Sequence, residues 1–109
     1  MSEISLTPVN NYIDEHMEDF KTGLGVAVAI KSVSSKKEDR EFVIAMVDYV
    51  AARMEGMGMK VEKRDLGDDP LYPGEGVKLP PVILASLGND PTKKTLCIYG
   101  HLDVQPAEK

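Results

Sequence analysis

The chain has a single cysteine, Cys97, so no disulfide framework is available to it, and a buried, inert thiol is the default reading. It has no excess of positive charge. The formal net charge is −5, and the lysines at 36, 37, 93 and 94 occur only as pairs. Sequence-independent nucleic-acid binding needs clustered Lys and Arg to displace phosphate counterions, so that class is excluded. The opening residues Met1-Ser2-Glu3-Ile4-Ser5 lack the basic start and apolar run of a secretory leader. No apolar stretch approaches the roughly 20 residues of a membrane-spanning helix. These absences describe a soluble, cytoplasmic chain without membrane or nucleic-acid partners.

Two catalytic signatures are also missing. No Gly-x-Gly-x-x-Gly occurs, and the pairs Gly56/Gly58 and Gly74/Gly76 lack the strand-to-helix setting of a phosphate loop. No serine sits in a Gly-x-Ser-x-Gly elbow. Internal repeats and low-complexity tracts are absent. What remains is ordinary for a globular chain: 42% hydrophobic and 28% charged residues. The 109 residues amount to one domain or part of one, able to bury roughly two-thirds of their unfolded surface.

Thr7 and Pro8 predict a helix start, with the threonine hydroxyl as cap and the proline at the first helical position. Val9, Ile13, Met17 and Phe20 then recur at helical spacing. The apolar residues 24–30 suit either a helix or a strand, with helix favoured. Ser35 and Glu38 have the spacing of a capping box. A helix follows with Val43, Val47, Val50, Met54 and Met57 as its apolar stripe, stopped by Gly56 and Gly58. Residues 59–66 read as a strand, 67–81 as a long loop rich in proline and glycine, and 82–87 as a second strand. A turn at 89–94 leads to a third strand at 95–99, which the short link predicts to be its antiparallel partner.

The residues with chemistry stand at the end of that third strand. Thr95-Leu96-Cys97-Ile98-Tyr99 reads as a strand buried on both faces, and Gly100 as a tight turn. His101 and Asp103 then emerge where open sheets place their ligand sites. Two residues apart in extended backbone, their side chains share one side, so the carboxylate reaches the imidazole. Such a His–Asp pair either organises a turn or orients a metal ligand; the triplet alone leaves both readings open. His16 lies among acidic residues on an ordinary solvated helix face.

The string Leu96-Cys97-Ile98-Tyr99-Gly100-His101-Leu102-Asp103-Val104-Gln105-Pro106 closely resembles the first metal-binding motif of the aminoacylase/carboxypeptidase family of dinuclear zinc peptidases. Residues 79–95 extend the likeness to its cytosolic non-specific, carnosinase-like dipeptidase branch. Ile30-Lys31-Ser32-Val33-Ser34 is similar to a segment near the start of such enzymes. The resemblance implies an α/β fold, with residues 1–109 as the N-terminal part of a zinc-peptidase catalytic domain whose helices pack on a mixed β-sheet. It implies metal-dependent hydrolysis of dipeptides by a homodimer with two divalent ions, zinc or manganese. His101 is then a metal ligand and Asp103 the catalytic-site carboxylate that orients it.

The family's remaining ligands have no counterpart in these residues, so the chain alone is expected to be inactive. The alternative is a non-catalytic module that pairs its open sheet edge with a full-length dipeptidase subunit. An independent metal site using Asp68, Asp69 or Glu75 finds no support in their spacing.

Overall fold

The computed structural model describes residues 3–107. The leader reading at Met1 and Ser2, and the last residues Glu108 and Lys109, lie outside them. The order is α1 (Thr7–Glu15), α2 (Met17–Ala29), a 3₁₀ turn (Lys37–Asp39), α3 (Arg40–Gly56), β1 (Lys60–Arg64) and β2 (Val82–Ser86). The α/β class holds. Its sheet among the described residues is the antiparallel pair β1–β2, registered from Lys60↔Ser86 to Arg64↔Val82, with a separate parallel bridge between Val33 and Val104.

The N-terminal periodicity gives two helices where one is expected. The break falls at His16, whose φ of −109° and ψ of 13° leave the helical region. Its backbone N–H and its Nδ1 both meet the Tyr12 carbonyl, at 3.1 and 2.8 Å, and its ring stacks on Tyr12 at 3.9 Å. Leu6, not Thr7, takes the cap position, and no side chain caps the helix. The ambiguous run to Ala29 is helical. Neither α1 nor α2 buries a residue, and Val9, Phe20 and Leu24 are each about half exposed or more.

The core forms around α3. Val43, Met46, Val47 and Ala51 are buried on it and Val33 joins them. That stripe matches the predicted helix in its first half only, since Met57 lies beyond the helix and is exposed. The predicted capping box does not form: Ser35 makes no cap, and the 3₁₀ turn occupies its place ahead of Arg40. The end is as expected. The Gly58 N–H reaches the Glu55 carbonyl at 2.9 Å and the Met59 N–H reaches Met54 at 3.1 Å, with Gly58 at φ +85°. This pair of bonds satisfies carbonyls the helix leaves open, and the left-handed position favours glycine.

α3 lies on the β1–β2 pair, and Lys63 of β1 meets Asp48 of α3 at 2.6 Å. β1 and β2 are therefore a hairpin with a long connection, residues 65–81. That connection is ordered by its own hydrogen bonds and by Arg40 at the start of α3. The Asp69 N–H bonds the Val77 carbonyl at 2.7 Å, and Leu79 bonds Gly67 at 2.9 Å. Arg40 donates to the Lys78 carbonyl at 2.6 Å and to Asp69 Oδ2 at 2.8 Å.

The predicted third strand is absent. Residues 95–99 make no ladder with β2, whose pairing is with β1. Leu96, Ile98 and Tyr99 are 82%, 83% and 87% exposed, and Cys97 is exposed where burial was expected. A run composed for burial on both faces needs neighbours on both faces, and no element among residues 3–107 covers it. The chain is accordingly extended, with a radius of gyration of 17.7 Å against about 13 Å for a compact unit of this length.

Candidate functional site

The segment 32–34 leaves α2 and runs alongside residues 102–104. The Val104 N–H donates to the Ser32 carbonyl at 2.9 Å, and the Ser32 hydroxyl donates to the Leu102 carbonyl at 3.3 Å. Ser32 has no exposed surface and Val33 is buried, so this contact is a buried seam. Beneath it, Ala27 and Val28 of α2 and Met46 and Val50 of α3 form an apolar groove of about 210 Å³ with His101, Leu102 and Val104. The helices supply the bed and the seam holds the motif upon it.

Side chains from both segments converge there. His101 Nδ1 lies 3.0 Å from Asp103 Oδ1. The other carboxylate oxygen, Oδ2, accepts a hydrogen bond from the Ser34 hydroxyl. The Asp103 carboxyl is held below its ordinary range, chiefly by that hydroxyl, with its own backbone N–H and His101 adding to the effect and partial burial opposing it. An imidazole that keeps its proton on Nδ1, facing the carboxylate, offers Nε2 as a free lone pair. The His101 side chain is 67% exposed, so that lone pair is accessible.

Thus the two predicted site residues are together, and the local geometry forms without the predicted strand. Gly100 is not in a positive-φ conformation and its surroundings are open, so the turn does not require glycine. Ser34 is the site residue that the His-x-Asp spacing does not reveal. Its signal was the match of residues 30–34 to a segment of the resembled enzymes. His16 stays with Tyr12, and the loop acids are engaged by cations: Asp68 with Lys78, Asp69 with Arg40, Glu75 with Lys37. A second cavity of about 270 Å³, lined by Ile44, Lys63, Asp65, Lys78, Leu79 and Pro81, contains no His or Cys.

The arrangement fits one metal ligand and its orienting carboxylate. It does not amount to a metal site, since no group of three or more His, Cys, Asp or Glu gathers among the described residues. A catalytic zinc takes three protein ligands plus water.

No protein-family model matches the chain. It is similar, however, to curated proteins along nearly all of its length. It is 44% identical over 105 residues to the Cys-Gly metallodipeptidase dug1 of Schizosaccharomyces pombe, covering 96% of this chain and 22% of that protein. It is 40% identical over 107 residues to the Beta-Ala-His dipeptidase of Rattus norvegicus, again 96% of this chain and 22% of the relative. The crystal structure of human carnosine dipeptidase 1 superposes with a TM-score of 0.88 at 42% identity, over 95% of this chain and 22% of that one. These relatives are dipeptidases, the first of them a metallodipeptidase by name, and the chain spans about a fifth of their length.

Proposed function

We propose that residues 1–109 are the N-terminal portion of a metallodipeptidase catalytic domain. In it His101 binds one ion of a divalent pair, zinc or manganese, and Asp103 orients the imidazole. The observation that carries this is the His101–Asp103 contact of 3.0 Å, placed within a chain 44% identical to a metallodipeptidase over 96% of its residues. A metal pair in such a site lowers the pKa of its water and polarises the scissile carbonyl. The part of this chain's residues is narrower. Ser34 fixes Asp103, Asp103 sets the proton on Nδ1, and Nε2 is left to bind.

The names of the relatives suggest substrates of the Cys-Gly or β-Ala-His kind, small dipeptides with a free carboxylate. Three protein ligands are not assembled among the described residues, so hydrolysis belongs to a longer or assembled protein, which we read as a cytosolic homodimer. A second reading has this chain pair with a full-length dipeptidase subunit. The exposed run Leu96, Ile98 and Tyr99 favours it, because unpaired backbone and apolar side chains seek a strand partner.

The test begins with the intact mass of the native protein, captured by an antibody against residues 36–58. A species several times heavier than 12.0 kDa should hydrolyse dipeptides, lose that activity to a chelator, and regain it with zinc or manganese. His101→Ala in that species should lower kcat/KM by at least about 100-fold. Dipeptidase activity indifferent to His101→Ala overturns the assignment. A 12.0 kDa species that co-purifies with an active dipeptidase would establish the second reading instead.

A further inference from the structure

His101 and Asp103 face a difficulty that the pair cannot solve alone. Their side chains are 67% and 40% exposed, so packing does not hold either one in place. A solvated carboxylate rotates freely about its last torsion and would share its oxygens between water and the imidazole. We infer that Ser34 is the positioning residue of this site: its hydroxyl pins Oδ2 of Asp103, which leaves Oδ1 facing Nδ1 of His101.

The hydroxyl can do this because its own backbone is anchored. Ser32 and Val33, the two residues before it, are buried. The bonds Val104 N–H to Ser32 carbonyl and Ser32 hydroxyl to Leu102 carbonyl fix the segment against the motif itself. Any shift of 101–104 therefore carries Ser34 with it. The carboxylate has one oxygen bound to a fixed donor and one directed at the ring, which is the geometry that selects a single imidazole tautomer. A neutral histidine side chain without a partner favours the proton on Nε2, where it would block the binding lone pair. The chain Ser34–Asp103–His101 reverses that preference. The purpose of the arrangement rests on the reading of His101 as a ligand, while the geometry does not.

Tautomers are read directly by long-range ¹H–¹⁵N correlation of the ¹⁵N-labelled chain above the titration range of histidine. The protein has two histidines, and His16→Gln assigns them. The native chain should show His101 mainly as Nδ1–H. Ser34→Ala should lower the Nδ1–H to Nε2–H ratio roughly fivefold, the effect of one lost hydrogen bond. Ser34→Thr, which keeps the hydroxyl, should restore it, and Ser34→Val, of the same shape without it, should not. An unchanged ratio in Ser34→Ala overturns the inference, as does a failure of Ser34→Thr to restore it. Loss of the folded amide spectrum in both hydroxyl-free variants, with Ser34→Thr folded, also overturns it, because Ser34 would then be a structural tie. The ratio is measured without metal, so its failure leaves His101 free to be a ligand. Activity lost on His101→Ala bears on the ligand alone.

Discussion

Ser32, with no exposed surface, gives its hydroxyl to the carbonyl of Leu102, 70 positions along the chain and 3.3 Å away. Removing one partner of a buried hydrogen bond leaves the other unsatisfied. Ser32→Ala should lower stability by about 1 kcal/mol. Ser32→Val, which adds methyl groups where space is filled, should cost about 1–3 kcal/mol. Urea denaturation followed by far-UV circular dichroism checks both. Equal midpoints for all three chains would mean that the seam between 32–34 and 102–104 does not contribute to the fold.

Met46 belongs both to the core of α3 and to the groove beneath His101. Met46→Ala opens a cavity on that shared wall and should cost about 2–4 kcal/mol. The same urea series measures it. The neighbouring exposed Ala52→Ser makes the control, with no change beyond a few tenths of a kcal/mol.

Asp69 ties the long β1–β2 connection to α3. Its carboxyl is held below the ordinary range first by the Leu71 backbone N–H at 2.9 Å and then by Arg40 at 2.8 Å, with burial opposing. A depressed folded value means that stability is fully present above the unfolded value near 3.9 and is lost as pH falls through the folded one. Asp69→Asn should therefore flatten the fall in urea midpoint between neutral pH and about pH 3. An identical fall in both chains would refute the role of Asp69.

Cys97 is exposed within residues 95–99. A thiol reagent should modify it in the native chain within about twofold of the denatured-chain rate, since no packing shields it. On binding a full-length dipeptidase subunit, protection should appear. A cysteine protected from the start would show that the run is already covered.

The pattern of what could be read from residues alone follows the reach of each signal. The Val43/Val47 spacing predicts the helix because its burial depends on one neighbouring sheet, and that sheet is present. Gly58 predicts the stop because a left-handed residue after a helix is a local requirement. The break at His16 has no proline or glycine to announce it. At His16 the Tyr12 carbonyl accepts from both the backbone and the ring, a local arrangement that no periodicity records.

The sheet differs from its expected pairing for another reason. Short links between strands are the common case, so 82–87 and 95–99 looked like partners. β1 instead reaches β2 across a connection that Arg40 and Asp69 keep in order. The run at 95–99 has the composition of a covered strand, and composition cannot say which residues do the covering. His101 and Asp103 were legible from their spacing because their contact is local. The geometric role of Ser34 was not, since it depends on a hydrogen bond spanning 69 positions.

That span has a consequence in time. Closing a loop of about 70 residues carries an entropy that grows with the logarithm of its length, whereas the turns of α3 close locally. The seam between 32–34 and 102–104 should be the last part of the chain to form and among the first to open. The amide of Val104 should then exchange with solvent through openings that leave Val47 protected. The segment that carries His101 would part from the helix in those openings while the helix stays folded beneath it.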